Sequence, residues 1–147
     1  MSAYCEVMDF QQNRSITTLH NLGLRSLEHK ELELQLFSGY RPMELVLPCL
    51  YSEIDGPALG PIVEHLSSIK YISHITIGLD KATRSEFEHA KRFFKKLKRP
   101  HSVIWNDGPR LKDLRKSLAD AGLEIGEQGK GRNVWTCIGH VISRGKA

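Results

Sequence analysis

After residue 40, hydrophobic and polar positions switch repeatedly between a strand-like and a helix-like period. Met43-Glu44-Leu45-Val46-Leu47 is a short apolar run led in by Tyr40-Arg41-Pro42 and stopped at Pro48, which predicts a buried strand. Within residues 57–69, Leu59, Ile62, Val63 and Leu66 recur at helical spacing, and Pro57 and Pro61 sit where a first helical turn tolerates them. Residues 72–79 are rich in β-branched side chains and close on Gly78 and Asp80, which predicts a second strand. Thr83 or Ser85 can then cap a helix reaching Leu97, with Phe87, Ala90, Phe94 and Leu97 on one face. Pro100 ends it, and His101-Ser102-Val103-Ile104-Trp105 predicts a third strand running into the loop Asn106-Asp107-Gly108-Pro109. Leu111, Leu114 and Leu118 mark a helix stopped by Gly122, and a glycine-rich turn over 126–131 opens a last helix carrying Val134, Trp135, Ile138 and Val141.

Strands alternating with helices at this spacing imply βαβ units, and so an α/β fold with a mostly parallel sheet and right-handed crossovers, in the manner of a Rossmann-like nucleotide-binding half. The first forty residues read as an extension, 1–40, partly helical, ahead of this unit at 41–147. Its segment 27–37 is ambiguous, because Leu32, Leu34 and Leu36 alternate like a strand while Leu27, Leu34 and the neighbouring Glu and Lys suit a helix. It is taken as a helix. In sheets of this kind ligands bind at the carboxyl ends of the strands. That directs attention to residues 48–53, 78–81 and 106–110, and to the turn at Gly129.

Composition narrows the class. A chain of 147 residues that is 40% hydrophobic and 26% charged suits one globular domain, and excludes a disordered tail, a collagen-like repeat or a multidomain assembly. The formal net charge of +4 hides an asymmetry: residues 1–80 hold 5 Lys+Arg against 10 Asp+Glu, whereas 81–147 hold 16 against 7. A basic half suggests an anionic partner. The densest cationic run, residues 91–99, reads as the solvated face of an amphipathic helix, and no nucleic-acid reader motif accompanies it. Nucleic acid is therefore not the expected partner. Cys5, Cys49 and Cys137 are odd in number and far apart, which argues against a disulfide framework or a zinc site and for a reducing compartment. The first residues lack a basic start followed by an apolar run, and no apolar stretch approaches the roughly 18 residues that span a bilayer. The expectation is a cytoplasmic protein with no membrane contact, for which a homo-oligomer stays open.

Several residues carry candidate chemistry. Gly129-Lys130-Gly131 precedes a predicted helix, where glycines allow close approach, free N–H groups face outward and a lysine offers charge to a phosphate. It lacks the phosphate-loop pattern, so a plain loop with an exposed lysine fits equally. Asp80 can accept hydrogen bonds from a base or ribose, or cap the next helix. Glu53 and Asp55 can be loop carboxylates or charges at a helix start. His20, His65, His74, His89 and His140 show no metal-binding spacing.

Taken in order, Leu45-Val46-Leu47-Pro48-Cys49-Leu50-Tyr51-Ser52-Glu53, Ile77-Gly78-Leu79-Asp80, Trp105-Asn106-Asp107-Gly108-Pro109-Arg110 and Gly129-Lys130-Gly131-Arg132-Asn133-Val134-Trp135 resemble one family. It is the nucleotide-sugar glycosyltransferases of the GT-A type, in the branch resembling glucosyl-3-phosphoglycerate synthase, and the likeness covers about residues 15–145. The resemblance implies a GT-A nucleotide-binding half that takes a UDP- or GDP-hexose. Pro48, Leu50 and Glu53 would line the uridine pocket, with Glu53 touching the base or ribose. Asp80 would close the same pocket, and Lys130 would meet the nucleotide or its diphosphate. Gly78, Asp107, Gly108, Gly129 and Gly131 are implied only as shapers of the site.

Two departures stand in the sequence. Tyr51-Ser52 set Glu53 one position later than in many relatives, and no Asp-x-Asp occurs anywhere. In the family that motif follows the helix after the Gly-Lys-Gly turn and binds the Mg or Mn ion that bridges the diphosphate. This chain is therefore expected to hold no catalytic residue and no metal of its own, to lack the acceptor-binding half, and to be an amino-terminal fragment inactive by itself. The complete enzyme would transfer a hexose to a small acceptor resembling 3-phosphoglycerate. The rival expectation is a non-enzymatic binding or regulatory domain whose basic half contacts an anionic partner.

Overall fold

The computed structural model describes residues 26–123 and 125–145; Cys5, His20 and the rest of 1–25 lie outside the described residues. The elements run α1 (Leu27–Tyr40), β1 (Met43–Leu50), α2 (Leu59–Ser68), β2 (Ile72–Asp80), α3 (Arg84–Phe94), β3 (His101–Trp105), α4 (Pro109–Asp120) and α5 (Lys130–Ser143). The three strands form a parallel sheet in the order β1-β2-β3, so the chain is α/β as its alternating pattern predicts.

β2 lies in the middle, and its period-two pattern separates the two faces of the sheet. Ile75, Ile77 and Leu79 are at most 1% exposed and join Val63 and Leu66 of α2, Ala90 and Phe94 of α3, and Leu97 in the core. Burying each large aliphatic side chain contributes about 1.5–3 kcal/mol, so this face supplies most of the cohesion. The opposite face presents His74, Thr76, Gly78 and Asp80, all buried, and α5 lies over it, in contact with β1 and β2.

Local signals explain the remaining elements. Thr83 caps α3: its hydroxyl accepts from Glu86 N–H while the Glu86 carboxylate accepts from Thr83 N–H, satisfying two free donors at once. The cationic stretch ends α3 in a 3-10 turn, Lys95–Leu97, that buries Leu97. Ser26 caps α1 through His29 N–H, yet α1 buries no side chain. None of the described helices is long and apolar enough to cross a membrane. Cys49 and Cys137 are buried free thiols.

Three boundaries differ from the sequence expectation. β1 continues through Pro48 to Leu50, because an edge strand tolerates a residue without an N–H, and Pro48 still pairs with Gly78. Pro109 opens α4 at its first position instead of ending a loop, as its fixed φ allows. α5 starts at Lys130, inside the turn, which places Lys130 and Gly131 in its first helical turn. α5 is also rotated from its apolar pattern. Asn133 and Cys137 are its buried residues, whereas Trp135 and Ile138 are 51% and 46% exposed.

Candidate functional site

The carboxyl ends of β1 and β2 and the start of α5 enclose a cleft of about 320 Å³. Its lining takes Pro48, Cys49, Leu50 and Glu53 from the end of β1, Asp80 and Lys81 from the end of β2, and Gln128, Gly129, Lys130 and Asn133 from the turn and first turn of α5. The five principal candidates of the sequence, Pro48, Leu50, Glu53, Asp80 and Lys130, thus come together from three distant segments.

Each wall has a local cause. At the β1 end the chain tightens into a 3-10 turn, Tyr51–Glu53, held by Leu50 N–H donating to Glu53 Oε2 at 2.8 Å. Glu53 therefore spends one carboxylate oxygen on its own turn while standing at the cleft wall. Asp80 ends β2 at 3% exposure. Burial raises its pKa above the usual carboxylate value and Asp107 adds to this, while Asn106, Arg132 and Asn133 favour the charged form. Asp80 Oδ1 nevertheless completes no hydrogen bond of normal geometry, nor do the amide atoms of the buried Asn106. An unsatisfied buried carboxylate oxygen costs stability.

The third wall is electropositive. A helix leaves its first N–H groups without intrahelical acceptors, no side chain caps α5 at Gly129, and its first turn holds no acidic residue. Lys130 adds a full charge there and is exposed. Lys81, inside the 78–81 segment the sequence pointed to but not named there as a site residue, follows Asp80 in the left-handed region at φ 54° and joins the same lining. The signal for it was only its place directly after a strand end. Gln128 and Asn133 were likewise missed, because nothing in a lone amide marks it before the fold brings it to the cleft.

The weaker candidates divide. Gly129 lines the cleft in extended backbone. Asp107 stands behind it and accepts from Ala82 N–H at 3.1 Å and Gln128 Nε2 at 3.0 Å. Gly78 lies under α5, where a Cβ would collide with Asn133 and Cys137. Gly108 is the N-cap of α4, packed against the Trp105 ring. Gly131 faces a second groove of about 450 Å³, lined mainly by Leu118, Leu123, Ile125 and Trp135. That groove is apolar and gathers none of the principal candidates.

Among the described residues, no group of three or more His, Cys, Asp or Glu side chains is arranged to hold a metal ion. Asp107 has both carboxylate oxygens committed to N–H donors. Burial pushes the Cys49 thiol up to about 12, with the Glu53 charge adding, and the Cys137 thiol up to about 11, with Asp80 adding, so neither offers a thiolate near neutrality.

Comparison with known proteins decides the relationship. The chain is 46% identical over 135 residues to a glucosyl-3-phosphoglycerate synthase of Persephonella marina, covering 92% of this chain and 34% of that protein. The chain is a homologue of the glucosyl-3-phosphoglycerate synthases. A second such synthase, from Methanococcoides burtonii, is 35% identical over 136 residues, covering 90% of this chain and 32% of that protein. The homology extends over nearly all of this chain, which spans about a third of the length of these relatives. No protein-family model matches the chain, and no solved structure matches it significantly.

Proposed function

We propose that this chain forms the nucleotide-diphosphate-sugar-binding part of a GT-A glycosyltransferase, residues 41–147 making that unit and 1–40 an extension of it. In this reading the whole enzyme transfers a hexose from a UDP- or GDP-hexose to a small acceptor resembling 3-phosphoglycerate. The observation that carries it is the cleft. One concavity joins the end of β1 with Glu53, the buried Asp80 carboxylate, and a helix start bearing a lysine. A nucleoside diphosphate has this polarity in reverse, with N–H and O–H donors at the base and ribose and negative charge at the phosphates.

The residues divide the task accordingly. Pro48 and Leu50 give the base an apolar edge. Asp80 closes the pocket at the end of β2, where its carboxylate accepts from the base or ribose. Lys130 and the free N–H groups of α5 hold the diphosphate, and Lys81 adds charge at the mouth. The Mg or Mn ion expected in the family finds no fitting set of ligands among the described residues of this chain.

Calorimetry with UDP tests the proposal. Wild-type chain is expected to bind, and Asp80→Ala and Lys130→Ala each to weaken binding at least tenfold. Absence of UDP binding together with salt-dependent RNA binding would favour a non-enzymatic domain that uses its basic half instead. The chain alone is expected to give no sugar transfer from UDP-glucose or GDP-mannose with Mg²⁺. Robust turnover would overturn that part of the reading.

A further inference from the structure

The turn that carries Lys130 is built from residues that favour mobility. Gly126 sits at φ 35°, Gly129 has no side chain, and Glu127, Gln128 and Lys130 are exposed. A lysine delivered by such a segment pays an ordering cost whenever it meets an anion. Among the described residues, the side-chain hydrogen bond from this turn to the body of the domain runs from Gln128 Nε2 to Asp107 Oδ1, at 3.0 Å.

The far end of that bond is rigid. Asp107 Oδ2 accepts from Ala82 N–H at 3.1 Å, and Ala82 O accepts from Trp105 Nε1 at 2.7 Å, so the loop after β2 is held by the end of β3 and by the turn that follows it. Trp105 itself stacks on Phe87 with ring centroids 5.2 Å apart. Asn106 N–H donates to Leu79 O at 3.0 Å, and Arg115 donates to Asn106 O at 2.8 Å, which ties the Asp107 turn to β2 and α4. One carboxylate thus links three loops: its own, the one after Asp80, and the one leading into Lys130 at the start of α5.

We propose that Asp107 and Gln128 are a positioning pair. The carboxylate, held in the turn after β3, steadies the glycine-rich turn through Gln128 so that Lys130 and the first N–H groups of α5 stand ready for the anionic part of the ligand. Neither residue needs to touch the ligand for this role. The inference rests on the nucleotide-diphosphate reading of the cleft and deepens it, because it assigns the phosphate end of the site a preorganising device.

The test is a set of variants titrated with UDP. Gln128→Leu removes the donor at similar size and is expected to weaken binding about fivefold, the worth of one ordinary hydrogen bond. If the pair acts through Lys130 and the α5 N–H groups together, the same change made in Lys130→Ala costs clearly less than fivefold. Gln128→Glu sets two carboxylates against each other and weakens binding more strongly. Combining Gln128→Glu with Asp107→Asn restores it, because the amide introduced at position 107 can donate to the new carboxylate while its carbonyl still accepts from Ala82 N–H. This reversal decides the matter where Lys130→Ala binds too weakly to titrate. Unchanged affinity in Gln128→Leu, a full fivefold loss that persists without Lys130, or a combined variant no better than Gln128→Glu each overturns the positioning role. Failure of the wild-type chain to bind UDP overturns the underlying reading of the cleft instead.

Discussion

The side-chain amide of Asn133 donates to the backbone carbonyl of Gly78 across 2.8 Å, fastening the first turns of α5 to the middle strand beside the cleft. Asn133 is 3% exposed and also lines the cleft, so one residue both docks the helix and borders the site. The contact requires glycine on the strand, since a Cβ there would fall 2.5 Å from Cys137 Sγ and closer still to Asn133.

Gly78→Ala therefore overpacks the helix-sheet contact. It is expected to destabilise the fold by at least about 1–3 kcal/mol in urea unfolding, and to weaken UDP binding by lifting the start of α5. Unchanged stability would mean that α5 does not rest on β2 as described.

At the other end of α5, Arg144 Nη1 contacts both oxygens of Glu44 at 3.1 Å, and the Glu44 side chain is only 4% exposed. Arg144→Met leaves that carboxylate buried without its partner. The expected cost is about 3 kcal/mol, whereas combining it with Glu44→Leu should recover a large part of the loss. Equal stability of the single and double variants would show that the pair is not a buried one.

His74 lies beside this ion pair, with Nε2 3.0 Å from Ser102 Oγ. Burial lowers its pKa from 6.5, and Arg144, His140 and His101 act in the same direction against Glu44. The folded protein thus takes up this proton less readily than the unfolded chain, so stability falls as pH drops through 6.5 toward the folded-state value. Thermal unfolding between pH 7.5 and 5 should show this decline, and His74→Gln should flatten it. An identical pH profile for the variant would remove His74 as its cause.

Asp80 has the opposite sign. Its pKa is raised from 3.8, so the folded state prefers the neutral form, and stability is lost as pH rises from 3.8 through the folded-state value. Asp80→Asn is expected to raise the unfolding temperature at pH 7 by on the order of 3 °C, with the gain shrinking toward pH 4, while UDP binding falls. A variant that is less stable at pH 7 would argue that the free carboxylate oxygen is not a strain kept for a ligand.

By itself the sequence determined the alternation of strands and helices, the parallel sheet and the loops worth inspecting. Those depend on local periodicity and punctuation: the apolar run of β1, the β-branched run of β2, the Thr83 and Glu86 capping pair, and Pro100 before β3. Strand ends and a glycine-flanked lysine pointed to the loops, and the family resemblance picked from them Pro48, Leu50, Glu53, Asp80 and Lys130, all of which line one cleft. Tertiary structure alone decided which way α5 faces. Its strongest apolar residues, Trp135 and Ile138, point outward, and the polar series Asn133, Cys137, His140 and Arg144 turns toward the sheet. The physical reason is on β2: its face there carries His74, Thr76, Gly78 and Asp80, so the helix that covers it must bring hydrogen-bonding groups and leave room at glycine. A hydrophobic pattern cannot announce such a match, because it exists only between two segments some fifty-five residues apart. The bond between Asp107 and Gln128 was hidden for the same reason.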